Sequence, residues 1–146
     1  MASTQAESLT VLYEQDETAW LEAMAQLVAQ RRYAELDHLH LSEFLADIAK
    51  RDRREVFSRL VILMSNLLKW QHQPDRRSGS GRGTIREQGR ELRGLLESDT
   101  LRNHAQSVLL DAYAEARKQA SDETEQSLGT FPLQCTWGLD DLLSEE

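Results

Sequence analysis

Apolar residues recur along this chain at the three- and four-residue spacings of a helix, not at the two-residue alternation of a strand. Trp20, Ala23, Met24, Leu27 and Val28 make one face of a helix that Asp16 is placed to cap. Leu12 and Val11 are expected to pack just before it. After Arg31-Arg32-Tyr33 the pattern resumes with Leu41, Phe44, Leu45 and Ile48, with Asp37 as the cap. Charges dominate from Lys50 to Glu55, and a break or kink is expected near Asp52. Val56, Leu60, Leu63, Leu67 and Trp70 then form one stripe, and Phe57, Val61, Met64 and Leu68 an adjacent one. Two stripes leave little polar circumference, so this helix is expected at the centre of the fold. It must stop near Gln73, because Pro74 disfavours a helical residue before it and donates no backbone hydrogen bond.

A fourth helix is expected from Thr84 to Glu97, with Ile85, Leu92, Leu95 and Leu96 inward. Its glycines, Gly89 and Gly94, each weaken it by about 1 kcal/mol relative to alanine. Ser98-Asp99 opens a fifth helix to about Glu123, with Leu101, Ala105, Val108, Leu109, Ala112, Tyr113, Ala116 and Ala120 inward. The tail "LGTFPLQCTWGLDDLL" reads as loop with a last turn of helix near Leu139 to Leu143. Its Phe131, Trp137, Leu139 and Leu142 form a strap over an open edge. There is no repeat and no strand pattern longer than three residues. The reading is an all-α protein, a compact bundle of about five helices with a C-terminal strap and a short terminal helix. It is taken as a single domain over 1–146 with its core at about 10–143, and with 1–9 and 144–146 mobile.

Composition narrows the class without naming a function. With 40% apolar and 29% charged residues in 146, the chain is globular and of single-domain size. The longest apolar run, Leu60 to Met64, falls far short of the roughly 20 residues a spanning helix needs. The start lacks a basic head followed by an apolar stretch, so a signal peptide is not expected and a cytoplasmic location is. The single cysteine, Cys135, leaves no internal disulfide and no cysteine-based zinc site. Net charge is −8, but it is segregated: residues 1–49 carry −7, residues 50–94 carry +7 and residues 95–146 carry −8. Segregation of this kind means either acidic and basic elements packed on each other or a basic binding surface.

Four stretches together carry a resemblance: "LYEQDETAWL", "LLKWQHQPDRR", "TIREQGREL" and "FPLQCTWGLDDLL". From Leu12 to Leu143 the chain resembles the bacterial domain-of-unknown-function family numbered 29, frequent in cyanobacteria and also found in proteobacteria. The resemblance implies a small helical protein and brings no activity with it. The chain departs from that pattern at Gly79, Gly81 and Gly83, where family members read an arginine, a bulky aromatic and an alanine. It also departs at His38, typically a tryptophan, and at Lys50-Arg51-Asp52, commonly a glycine-arginine-serine turn.

One feature stands apart from core building. At 100° per residue, Arg82, Arg86, Arg90 and Arg93 fall within about an 80° arc, away from Ile85, Leu92 and Leu96. Arg76 and Arg77 lie just upstream. A salt-bridged helix alternates sign at i,i+4, whereas here like follows like, with only Glu87 and Arg90 offering an i,i+3 pair. These six arginines are the candidate binding residues. They would meet acids on a neighbouring helix, a protein partner or second copy, or a nucleic-acid backbone, in that order. No aromatics stand between them to stack on bases.

Weaker candidates each have a plainer reading. "SGSGRGT" has no Gly-Lys-Ser/Thr ending and follows a helix, so it reads as a flexible connector rather than a phosphate loop. His40, Glu43 and Asp47 share a helix side, but no second inward set completes a metal site, and Asp47 can pair with Arg51. Arg31 or Arg32 followed by His38 gives a spacing found in some helical ribonucleases and readily met by chance. His72 suits a helix end, His104 a helix surface, and Cys135 a packed small side chain. No serine, histidine and acid make a catalytic motif. Trp20, Trp70 and Trp137 read as core anchors. The sequence therefore points to a non-enzymatic helical interaction module without cofactor, metal or membrane. The alternative is a nucleic-acid-binding or toxin–antitoxin-type regulatory component using the Arg82–Arg93 stripe.

Overall fold

The computed structural model describes residues 2–144, with side chains from Ser8 onward. The described residues are all-α, with six helices: α1 (Ala2–Gln15), α2 (Glu17–Ala29), α3 (His38–His72), α4 (Gly79–Leu95), α5 (Asp99–Thr124) and α6 (Leu139–Leu143). Single 3₁₀ turns at Tyr33–Glu35, Pro74–Arg76 and Leu128–Thr130 join some of them. Packing falls into two compact units, Met1–Lys50 and Arg51–Glu146, and α3 supplies residues to both.

In the first unit, α1 packs on α2. Asp16 separates them in a non-helical conformation, and its Oδ1 accepts the Ala19 N–H at 3.1 Å, the capping expected of it. Leu9, Trp20, Met24 and Leu27 are buried, with Leu12, Tyr13, Leu36, Leu41 and Phe44 packed around them. Asp37 ties this core together. Its Oδ2 accepts the Trp20 indole N–H at 3.2 Å and meets His40 Nδ1 at 2.8 Å, while Oδ1 accepts the His40 N–H at 3.4 Å. Tyr13 stacks on His40 with ring centroids 4.4 Å apart and meets Trp20 edge-on.

Residues 2–9 lie within α1; Met1 and residues 145–146, part of the stretches expected to be mobile, lie outside the described residues. One expectation changes here. The break near Asp52 does not occur, and α3 runs unbroken from His38 to His72. Lys, Arg, Asp and Glu are tolerated in helix interiors, and only Pro or Gly would have interrupted the ladder. The run "KRDRRE" contains neither.

The second unit is built on the later part of α3. Val56, Leu60, Leu63, Met64 and Leu68 are buried, and Leu92, Leu96, Leu109, Tyr113 and Phe131 close the core around them. Ala105, Ala112, Ala116 and Ala120 are fully buried on the inner face of α5, where small side chains let the backbone lie close. Ser98 Oγ accepts the Leu101 N–H at 3.3 Å and starts α5 where the sequence placed it. The expected strap and terminal turn are present. Phe131, Leu139 and Leu142 are buried, and Tyr113 Oη donates to the Pro132 carbonyl at 2.6 Å. Arg117 donates to the Phe131 and Leu128 carbonyls at 3.0 to 3.3 Å.

The connector before α4 differs from expectation. α4 begins at Gly79 rather than Thr84, because Ser78 Oγ accepts the Gly81 N–H at 3.1 Å and caps it. "SGSGRGT" is thus a capped first turn rather than a flexible linker. No residue of it needs a left-handed backbone, since none of its glycines has positive φ.

Candidate functional site: the arginine corner

α3 ends at His72, and Pro74 opens a 3₁₀ turn that carries the chain round to Ser78. This brings arginines upstream and within α4 back over the last turn of α3. Arg77 Nε donates to the Trp70 carbonyl at 2.8 Å, and its guanidinium lies 5.1 Å from the centre of the Trp70 ring. Arg82 covers the same indole at 5.7 Å. Cation–π contacts of this kind contribute on the order of 0.5–1 kcal/mol each at exposed sites. Gly81 lies beside the ring, and a Cβ there would come within 3.9 Å of it.

Trp70 is therefore not the core anchor its stripe position suggested. It is half-buried in the last turn of α3, and two guanidinium groups lie over its ring. Beside it lies a recess of about 290 Å³ whose lining includes Lys69, Arg76, Ser78, Ser80 and Thr84. Lys69 forms an ion pair with Glu123 of α5. That hydrogen bond holds the Glu123 carboxyl below its ordinary pKa.

The six candidate arginines divide by environment. Arg77 and Arg82 are engaged with Trp70. Arg93 is half-buried and reaches the Leu143 carbonyl at 3.4 Å, where α4 packs against α6. Arg76, Arg86 and Arg90 are exposed, and among the described residues their side chains make no ion pair or hydrogen bond. Glu87, offered by the sequence as a partner for Arg90, makes no such pair in the structure.

Several acids on the surrounding elements are occupied elsewhere. Glu91 lies 3.9 Å from Arg59, which also meets Glu55 at 2.9 Å. Asp140 meets Arg102 at 2.6 Å, and Asp141 accepts the Gly138 N–H at 2.8 Å. Among the described residues, the arginine row of α4 thus has no acidic helix to neutralise Arg86 and Arg90.

The other candidates resolve into local structure. Arg32 makes two short bonds to Glu35, at 2.5 and 2.6 Å, and His38 is exposed. His40 is held by Asp37, and no group of three or more acidic, histidine or cysteine side chains is placed to hold a metal among the described residues. His72 meets Phe131 edge-on at 5.5 Å, so besides ending α3 it packs against the strap. Cys135 is half-buried, its Sγ–H donates to the Trp137 carbonyl, and burial raises its pKa. Sequence reasoning missed Trp70 as the platform for Arg77. The only signal was a pair of arginines six and seven residues on, across a proline turn.

No helix among the described residues is long and apolar enough to cross a membrane. No curated protein and no solved structure matches the chain. A family model described as Domain of unknown function DUF29 matches residues 12–146, nearly the whole length, and the chain belongs to that family.

Proposed function

We propose that this protein is a non-enzymatic helical interaction module whose charged contact is the outward arginine row of α4. The observation that carries this reading is the pair Arg86 and Arg90, exposed at i,i+4 spacing and without an acid to meet them among the described residues. Like charges at that spacing destabilise a helix by about 0.2–0.5 kcal/mol per pair, so an external counter-charge is favoured. Arg82 and Arg93 flank the pair along the same side, and Arg76 and Arg77 extend the positive charge past the helix start. Successive arginines four residues apart stand about 6 Å apart along the axis, a spacing that carboxylates on a second helix reproduce.

An acidic protein surface fits better than a nucleic acid. The indole closest to the arginines already carries Arg77 and Arg82 over its ring, which compete with a stacking base. The chain's net charge of −8 also repels a polyanion at long range.

The test is capture of partners by the wild-type protein and by an Arg86→Glu, Arg90→Glu variant, alongside anisotropy titrations with labelled RNA and DNA. The proposal expects an acidic protein held by the wild type and lost by the variant, with no nucleic-acid signal even at low salt. Binding of RNA or DNA that collapses between about 50 and 200 mM salt would transfer the row to phosphate recognition.

A further inference from the structure

In the second unit, the exposed large apolar side chains gather in one place. Leu110, Leu128 and Leu133 are 72%, 40% and 78% exposed, and they are the exposed large hydrophobics among its described residues. All three line a single recess of about 520 Å³ between the outward face of α5 and the strap. This recess is remote in sequence from the α4 arginines and contains none of them. The strap side of it is fixed, because Arg117 and Tyr113 hold the Leu128, Phe131 and Pro132 carbonyls. A fixed apolar wall beside an exposed helix face has the form of a docking surface.

The helix side says what docks there. Ala114 lies on the outward face of α5, opposite the buried Ala105, Ala112 and Ala116, and is exposed. With no side chain beyond Cβ, it lets another backbone approach closely. Leu110 and Lys118 stand one turn to either side of it, and Asp111 lies next to Leu110. Asp111 is exposed and makes no ion pair among the described residues. Lys118 reaches only the nearby Glu115, at 3.6 Å, with both side chains more than half exposed. The face thus carries a leucine and an acid on one side of Ala114 and a base on the other, a charge pattern complementary to itself when turned through 180°.

We infer that this face is the interface between two copies of this chain, related by a twofold axis at Ala114, with the two α5 helices antiparallel. Self-complementarity is what an isologous interface requires. In that arrangement Ala114 faces Ala114. Asp111 stands within one residue of the register of Lys118 on the second copy, and Leu110 packs on that lysine's methylene stem. Leu110 and Leu133 of both copies then form one shared apolar patch at the mouths of the two recesses.

Sedimentation velocity across a concentration series tests the proposal, with helicity by circular dichroism as the check that each variant is folded. The wild type is expected to be a dimer. Leu110→Glu with Leu133→Glu, both surface positions, should abolish it without loss of helicity. Lys118→Asp and Asp111→Lys should each weaken dimerisation by about tenfold, and the two together should recover most of the loss, as an ion pair across the axis requires. In a Cys135→Ser background, Ala114→Cys should oxidise readily to a covalent dimer, since the two sulfurs meet only if Ala114 lies at the axis. A wild type that stays monomeric at every concentration overturns the inference. So does a dimer indifferent to the leucine and charge changes, because its interface would lie elsewhere.

Discussion

The second unit should be made more stable by replacing α4 glycines that have no structural purpose. A Cβ on Gly83 or on Gly94 meets nothing within 4 Å, and neither residue has positive φ. Both lie within α4, so each glycine gives up more backbone entropy on folding than alanine would, by about 1 kcal/mol. The two positions are about 16 Å apart along the helix and share no contact, so the gains should add to about 2 kcal/mol. With a urea slope of about 2 kcal/mol/M, the midpoint for Gly83→Ala with Gly94→Ala rises by about 1 M and the slope is unchanged. Tryptophan fluorescence suits the assay, because Trp70 and Trp137 report the second unit and Trp20 the first. Gly89→Ala supplies the contrast. Its Cβ would stand 3.4 Å from Arg93 Nη1, so that side chain must adjust and the gain is smaller. An unchanged or lowered midpoint in the double variant would refute the reasoning. It would mean that the first turns of α4 are not helical, or that backbone at Gly83 or Gly94 is approached closely by something.

Other consequences concern particular contacts. Asp37→Ala removes the acceptor shared by Trp20 and His40, along with a cap on α3; urea titration should show a loss of about 2–3 kcal/mol confined to the Trp20 signal. The depressed Glu123 pKa means that its pairing with Lys69 stabilises the fold above the ordinary glutamate range. That contribution is lost as pH falls through the folded value, so the stability gap between wild type and Glu123→Gln should be flat near neutrality and close in acid. Because burial raises the Cys135 pKa, a thiol reagent should label the native protein far more slowly at mildly alkaline pH than the urea-unfolded chain. Equal rates would show that Cys135 is not held against Trp137.

The all-α class, the proline stop after His72 and the Asp16 and Ser98 caps were legible in the sequence because each depends on neighbours three or four residues away. The central helix was legible too, since Val56, Leu60, Leu63, Met64 and Leu68 show their burial through periodicity alone. Errors arose where local signals were weak in both directions. The charged run at 50–55 looked like an interruption, yet nothing in it breaks a helix. The glycines at 79, 81 and 83 looked like a linker, yet Ser78 caps them into the start of α4.

The arginine row could be placed on one side of α4 from spacing alone, because 3.6 residues per turn fixes angular position. Whether an acid faced that side depended on how α5, α6 and the strap came to lie beside it. Only the tertiary structure decided that Glu91, Asp140, Asp141 and Glu123 are committed to other groups, leaving Arg86 and Arg90 unpaired among the described residues. It also moved Trp70 out of the core and under Arg77 and Arg82, and brought Leu110, Leu128 and Leu133 together from two separate stretches of chain. Periodicity determines which way a side chain points from its own helix. What it meets there is a matter of long-range packing, which no local pattern contains.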